Sequence, residues 1–375
     1  MRLPGLLIAG LLMLGCEQTD LAGTPDTDGT IPVSERMAAP PQPGFRRAEG
    51  PREFDFPTDH GAHPEYATEW WYFTGNLATR GGRPFGYQLT LFRVGLAAGP
   101  PADDSPLRST QMYMGHLAIT DIQSQQHYSA ERFSRAAYGL AGAQATPLKV
   151  WLGSWEISSD SRNEPFPLSL RAENEDFEID LTLQAGHKPR VLQGEDGWSR
   201  KSAEPGNASY YYSYTRLPSE GRLRIDNQWY EVDGSSWFDR EWSSSALGSD
   251  QAGWDWLSLQ LQDGRDLMFY RMRDQQGRAQ VFSQGVLVDT DGRTFRLNLD
   301  NTRLEPTDHW TSETSGVRYP VAWRLKVADQ KIDLQIDAAL RDQEMNHSVR
   351  YWEGAVIVSG SHAGVGYLEM SGYTR

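Results

Sequence analysis

The chain has 375 residues, of which 38% are hydrophobic and 11% aromatic, enough for a sizeable core and, by length, for two or three domains. Its net charge of −14 argues against nucleic acid and against a polybasic membrane patch, because both need a basic surface. A single cysteine, Cys16, rules out an intrachain disulfide.

The N-terminus opens with Arg2 and an apolar run over residues 3–14, too short for a stable membrane anchor. Leu14-Gly15-Cys16 ends that run. This order predicts a bacterial lipoprotein signal over residues 1–15, cleaved before Cys16, with lipid on the cysteine thiol. An ordinary secretory signal that happens to contain a cysteine is the alternative. Glu17 follows, not the Asp that commonly retains such proteins at the inner membrane. The expected location is therefore the outer membrane, facing the periplasm. Residues 16–52, rich in Pro, Gly, Thr, Asp and Ala, read as a flexible tether.

From residue 53 onward the pattern is almost all β. Residues 85–92 alternate bulky with small or polar side chains at strand period, and 177–183, 257–261, 286–288, 295–299 and 332–336 are similar runs. Gly81-Gly82, Asp263-Gly264, Gln276-Gly277 and Asp291-Gly292 separate them as turns. Helix is scarce, and its best candidate is a short one at residues 130–138. Residues 70–77, a glycine turn and 85–93 echo residues 254–261, the Asp263-Gly264 turn and 267–273. We therefore expect an all-β chain of two related antiparallel β-barrel domains packed together, at 53–215 and 216–375, sharing a Trp-rich interface or pocket.

Acids interleaved with aromatics carry the candidate chemistry. They are Glu69-Trp70-Trp71-Tyr72, Trp237-Phe238-Asp239-Arg240-Glu241-Trp242 and Trp254-Asp255-Trp256. Buried indoles need partners for their N–H groups, and apolar walls with a few fixed polar groups are the make-up of a small-molecule site. On a strand, Trp237, Asp239 and Glu241 share one face, and Phe238, Arg240 and Trp242 the other. A carboxyl at Asp239 inside a Trp-lined pocket would keep its proton toward neutral pH and could protonate an alkene, with indole faces stabilising the carbocation. The plainer reading is an ion pair of Arg240 with Asp239 or Glu241. Glu69 reads best as paired with Arg93 or Arg271 inside a barrel. Asp255 faces away from its flanking indoles, and a role in a turn or at a pocket rim stands beside a catalytic one. Tyr210, Tyr211, Tyr212 and Tyr214 form a phenol-rich strand that lines the cavity or packs an edge. Glu353 and Glu369 again sit beside aromatics in the closing strands. The histidines are scattered without metal-ligand spacing, and there is no phosphate loop and no Gly-x-Ser-x-Gly elbow. Lipidation of Cys16 would remove the one thiol nucleophile, so we expect no metal and no nucleophilic hydrolysis.

Residues 63–75, Trp237-Phe238-Asp239-Arg240-Glu241-Trp242, Gly253-Trp254-Asp255-Trp256 and Gly366-Tyr367-Leu368-Glu369-Met370-Ser371-Gly372-Tyr373 resemble the lipocalin-like AttH family. That family is related to carotenoid 1,2-hydratase (hydroxyneurosporene synthase), and its members are often labelled secreted hydrolases. The resemblance spans roughly residues 55–375 and implies two lipocalin-like β-barrels. It further implies cofactor-free chemistry in which an Asp within an aromatic-x-Asp segment protonates an isoprene double bond before water adds. Trp237-Phe238-Asp239 matches that segment, with Trp237 where the family has Tyr. The hydratases also use a His and a Trp on an upstream strand, and Tyr210-Tyr211-Tyr212 stand there instead, so a changed substrate is expected. The expected catalytic residue is Asp239. Trp237, Tyr210, Tyr212, Trp254, Trp256, Trp70, Trp71 and Glu69 are expected to contact a hydrophobic, isoprenoid- or polyene-like ligand. A non-catalytic lipid carrier working beside an export system is the competing reading.

Overall fold

The computed structural model describes residues 31–32, 43–100, 109–244 and 247–375, so the expected signal and the lipidation site Cys16 lie outside the described residues. Among these residues the strands form two curled sheets, antiparallel apart from one short parallel pair. The first runs in the order Gln126–Arg135, Gln111–Asp121, Pro84–Gly95, Thr68–Ala78, Gln228–Ser243, Ala208–Ile225, Phe177–Leu183, Leu168–Glu173, Trp155–Ser158, Lys149–Leu152, Ala141–Gln144. Its two ends curl toward each other into a nearly closed barrel around Trp71, Leu89, Trp155, Leu181, Phe238 and Trp242. The second sheet runs Thr294–Asn298, Gln284–Val288, Asp266–Asp274, Gln251–Leu261, Gly364–Met370, Val349–Gly360, Ile332–Ala338, Arg318–Val327, Thr302–Thr311. It is a half-barrel around Leu257, Phe269, Trp323, Leu334 and Leu368. Alternation produces both. Phe177–Leu183, for example, buries every second side chain, as one face packs on a core.

Three expectations need correction. The helix candidate at residues 130–138 falls mostly within the strand Gln126–Arg135, which pairs with Gln111–Asp121 along its whole length. Tyr128 and Ala130 pack on the first core at strand spacing, so tertiary pairing overrides the helix preference of Ala-Glu-Arg. The domain boundary at 215/216 falls inside the strand Ala208–Ile225. That strand and Gln228–Ser243 are the arms of one long hairpin, and the chain passes to the second sheet only between Ser243 and Gln251. Residues 43–52, assigned to the tether, are docked on the first sheet. Ala48 is fully buried, Trp198 Nε1 donates to its carbonyl at 2.8 Å, and the Tyr210 hydroxyl donates to the Gly50 carbonyl at 2.9 Å.

The internal echo corresponds to a shared hairpin. Thr68–Ala78 with Pro84–Gly95, and Gln251–Leu261 with Asp266–Asp274, occupy matching places in the two sheets. Each hairpin points an acid into its own sheet. Glu69 meets Arg93 and Arg240, while Asp255 meets Arg271 at 2.9 Å and Arg273 at 3.1 Å. The sheets then meet through their outer faces, where Tyr72, Tyr211 and Trp237 pack with Trp256, Met268 and Tyr270. Gly86 permits the approach, since a Cβ there would lie 2.7 Å from the Ala355 Cβ. Asp266 ties the seam by accepting from Lys188 at 2.6 Å, Arg216 at 2.6 Å and Thr215 at 2.7 Å.

Candidate active site

The strand Gln228–Ser243 sends Phe238, Arg240 and Trp242 into the first sheet and turns Trp237, Asp239 and Glu241 outward. Arg240 is used inside. It pairs with Glu69 and lies 4.0 Å over the Trp71 ring, so the alternative of an Arg240 ion pair with Asp239 or Glu241 does not hold. The outward residues join Trp70 and Tyr72 from the neighbouring strand and Tyr211 from the other side. The second sheet closes over them with Trp254, Trp256, Tyr351, Glu353 and Glu369. Between the sheets lie about 900 Å³ of empty space, the open mouth included.

Asp239 is 3% exposed in this wall. The Tyr211 hydroxyl donates to its Oδ2 at 2.5 Å, and Ser213 Oγ and Trp237 Nε1 donate to its Oδ1 at 2.5 and 2.6 Å. Trp256 Nε1 reaches across from the second sheet to the Tyr211 oxygen at 3.1 Å and orients that phenol. Burial pushes the Asp239 carboxyl up to about 7; the three donors offset part of the rise, and Glu241 adds to it.

The opposite wall carries two more acids. Glu353 and Glu369 are direct cross-strand partners. Trp254 Nε1 donates to Glu369 at 2.8 Å, and burial pushes this carboxyl up to about 7, with Glu241 and Asp239 adding to the rise. Glu353 is 1% exposed, and neither of its oxygens completes a hydrogen bond of good geometry. Burial, then the charge of Glu369, holds it well above the usual carboxylate range, although the Tyr72 and Tyr351 hydroxyls lie close by. Lys201 Nζ sits 3.1 Å from Glu241 and 4.2 Å over the Tyr270 ring. Burial lowers the Lys201 pKa, but Glu241 more than offsets this and keeps it charged. The cavity thus combines aromatic walls with carboxyls that retain protons near neutrality, a combination suited to protonating an apolar substrate.

A family model described as AttH-like matches residues 47–373. The chain belongs to the AttH-like family. The crystal structure of an AttH from Nitrosomonas europaea is 33% identical, covers 90% of this chain and 100% of its own, and superposes with a TM-score of 0.76. That of kievitone hydratase from Nectria haematococca is 16% identical, covers 88% of this chain and 98% of its own, and shares the fold with a TM-score of 0.66. No curated protein sequence matches the chain.

Of the residues expected to form the site of this AttH-like protein, Asp239, Trp70, Trp254 and Trp256 line the cavity, and Trp237 holds Asp239 from the side. Tyr210, Tyr212, Trp71 and Glu69 do not line it and are corrected. They point into the first sheet, where the Tyr212 hydroxyl meets His60 Nδ1 at 2.6 Å and Glu69 neutralises two arginines. Strand period sends them there, since Trp70 and Trp71 cannot share a face and Tyr211 takes the parity opposite to its neighbours. Tyr72, Tyr211, Glu241, Lys201, Tyr351, Glu353 and Glu369 also line the cavity; of these, Tyr211 was expected only as one of four phenols lining it or packing an edge, and Glu353 and Glu369 only as acids beside aromatics. Parity along its own strand places Glu241 with Asp239, and register to the neighbouring strands then places Tyr72 and Tyr211. The others depend on the packing of one sheet on the other.

Proposed function

We propose that this AttH-like protein takes a hydrophobic, isoprenoid- or polyene-like molecule into the cavity between its sheets and hydrates or isomerises it, with Asp239 as general acid. The observation that carries this reading is the Asp239 carboxyl, buried among indoles and phenols, whose three donors are all neutral. With its pKa near 7, a large share of Asp239 holds a proton at neutral pH. Transfer of that proton to an alkene carbon leaves a carboxylate and a carbocation. Tyr211, Ser213 and Trp237 are already aimed at the oxygens where the negative charge appears, and the faces of Trp70, Trp254 and Trp256 are available to the cation. Water then adds to the cationic carbon and gives its extra proton to the ionised form of Glu369; in an isomerisation that carboxylate takes a proton from the adjacent carbon instead.

The fold shared with kievitone hydratase, whose name states water addition, supports the reaction class. Lipid attachment at Cys16 and a periplasm-facing position on the outer membrane belong to the same proposal, since both would keep the cavity near hydrophobic molecules. The test begins with mass spectrometry of organic extracts from the purified protein, to identify the ligand and any product heavier by one water. Asp239→Asn should keep ligand affinity and lose turnover by roughly 10²–10⁴-fold. Full turnover by the variant would remove Asp239 from the mechanism. A ligand returned unmodified by the wild-type protein would make it a carrier.

A further inference from the structure

Tyr351 contacts more than the cavity. Its hydroxyl lies 2.7 Å from His116 Nδ1, and His116 Nε2 lies 2.9 Å from Glu131 Oε1. His116 and Glu131 are cross-strand partners in the first sheet, whereas Tyr351 belongs to the second, so the row crosses the seam between the sheets. At its inner end the Tyr351 hydroxyl neighbours the Glu353 carboxyl, whose oxygens lack a completed hydrogen bond. At its outer end the Glu131 side chain is 13% exposed and accepts from Ser348 Oγ at 2.7 Å. A second carboxyl, an imidazole and a phenol thus lead from solvent to the side of a buried carboxyl whose own oxygens lack a completed hydrogen bond.

We propose that Glu131, His116 and Tyr351 form a proton relay that reloads Glu353 from solvent. The proposal deepens the acid–base reading of the cavity and rests on it. In one inward transfer, Glu131 has taken a proton from solvent. Its O–H breaks as an N–H forms at His116 Nε2, the Nδ1–H breaks as an O–H forms on Tyr351, and the original Tyr351 O–H breaks as an O–H forms on Glu353. The net result is one proton moved from Glu131 to Glu353 and the His116 N–H exchanged from Nδ1 to Nε2. His116 is left with Nδ1 accepting from Tyr351 and Nε2–H donating to Glu131, and a ring flip or tautomer exchange resets it.

The transfer is downhill. Burial opposes ionisation of Glu131, but hydrogen bonds from His116 and Ser348 outweigh it and hold this carboxyl below its usual range, whereas Glu353 lies well above its own. The groups facing the row are Glu369 opposite Glu353, Tyr72 beside it, and His347 with its ring centroid 5.9 Å from that of His116. Tyr72 is the cross-strand partner of Asp239 and its hydroxyl also approaches Glu353, so the reloaded carboxyl borders the same cavity as Asp239. The proton released by the attacking water leaves through Glu369 and the mouth, and hydration remains proton-neutral.

Hydrogen–deuterium exchange of the Glu353 carboxyl tests the relay without substrate or turnover. The infrared C=O band of protonated Glu353 is assigned by its loss in Glu353→Gln, and its shift after transfer of the full chain to D2O is timed. Tyr351→Phe removes only the hydroxyl and should slow the shift by on the order of 10²-fold, the lower end of what a positioned proton-transfer group supplies. Glu131→Gln should do the same, and His347→Gln should leave the rate unchanged. A folded Tyr351→Phe protein that exchanges at the wild-type rate overturns the relay, as does the absence of any band lost in Glu353→Gln. Because the readout needs no product, slow exchange in Tyr351→Phe would stand even if the alkene chemistry fails, and the two failures are separable.

Discussion

At the scale of single residues, the cavity concentrates acids that burial keeps protonated. Asp239 and Glu369 both rise to about 7 from ordinary values of 3.8 and 4.5. The sign of the stability consequence follows from proton counting. Between roughly pH 4 and 7 the folded protein holds protons that the unfolded chain has released, so stability is full below that window and falls as pH rises through it. Asp239→Asn removes the Asp239 share of that loss. Relative to wild type, the variant should gain on the order of 4 kcal/mol between pH 4 and 7, about 1.4 kcal/mol for each tenfold difference in proton affinity between the folded and unfolded states. Denaturant midpoints measured across pH decide this. Parallel profiles for the two proteins would mean that Asp239 titrates at an ordinary value. The apparent midpoint in wild type belongs to the coupled group of Asp239, Glu353 and Glu369 rather than to one of them.

At the scale of strands, each of the central elements serves two environments. Thr68–Ala78 carries Trp70 and Tyr72 on its cavity face and Glu69, Trp71 and Phe73 on its core face. Ala208–Ile225 does the same until a bulge between Tyr214 and Leu217 exchanges its faces, which is how Thr215 reaches Asp266 while Leu217 enters the core. Glu69 is the polar anchor of the inner face, fully buried between Arg93 and Arg240, with His63 Nδ1 at 3.1 Å. Arginine charges on both sides hold it well below the usual carboxylate range against the cost of burial. Glu69→Gln leaves two guanidinium groups uncompensated in an apolar interior and should destabilise the protein by roughly 3–5 kcal/mol in equilibrium unfolding. A loss below about 1 kcal/mol, the value of an exposed pair, would show that the network is solvated. The sequence offered Arg93 or Arg271 as the partner of Glu69; Arg93 pairs with it, whereas Arg271 belongs to the second sheet and pairs with Asp255. Arg240 as its second partner was not legible, since only the pairing of Gln228–Ser243 with Thr68–Ala78 brings it near.

At the scale of the molecule, the site belongs to neither sheet alone. Asp239 and its three donors come from the first, and the indole that orients Tyr211 comes from the second. The distance between sheets therefore sets the chemistry, and at Gly86 against Ala355 they approach too closely for a larger side chain. Gly86→Leu should wedge the seam open at a cost of roughly 1–3 kcal/mol, typical of overpacking, and should weaken hydrophobic ligand binding while both cores remain. Unfolding midpoints and tryptophan fluorescence of ligand-loaded protein check this, and unchanged binding would mean that the two sheets do not depend on each other for the site.

The sequence by itself determined the all-β class, the strands of the echoed hairpins, the internal echo and the placement of Asp239 with Trp237 on one strand face. These follow from local alternation, which needs no knowledge of partners. It did not determine where one sheet ends and the next begins, because a 208–243 hairpin and an interdomain crossing read alike without pairing information. Nor did it identify which of Tyr210, Tyr211 and Tyr212 faces the cavity, a choice set by register to Asp239. The meeting of Glu353, Glu369 and the His116 row with Asp239 was decided by tertiary structure alone. These groups lie far apart along the chain, and only the packing of one curled sheet on the other encloses them in a shared low-dielectric space.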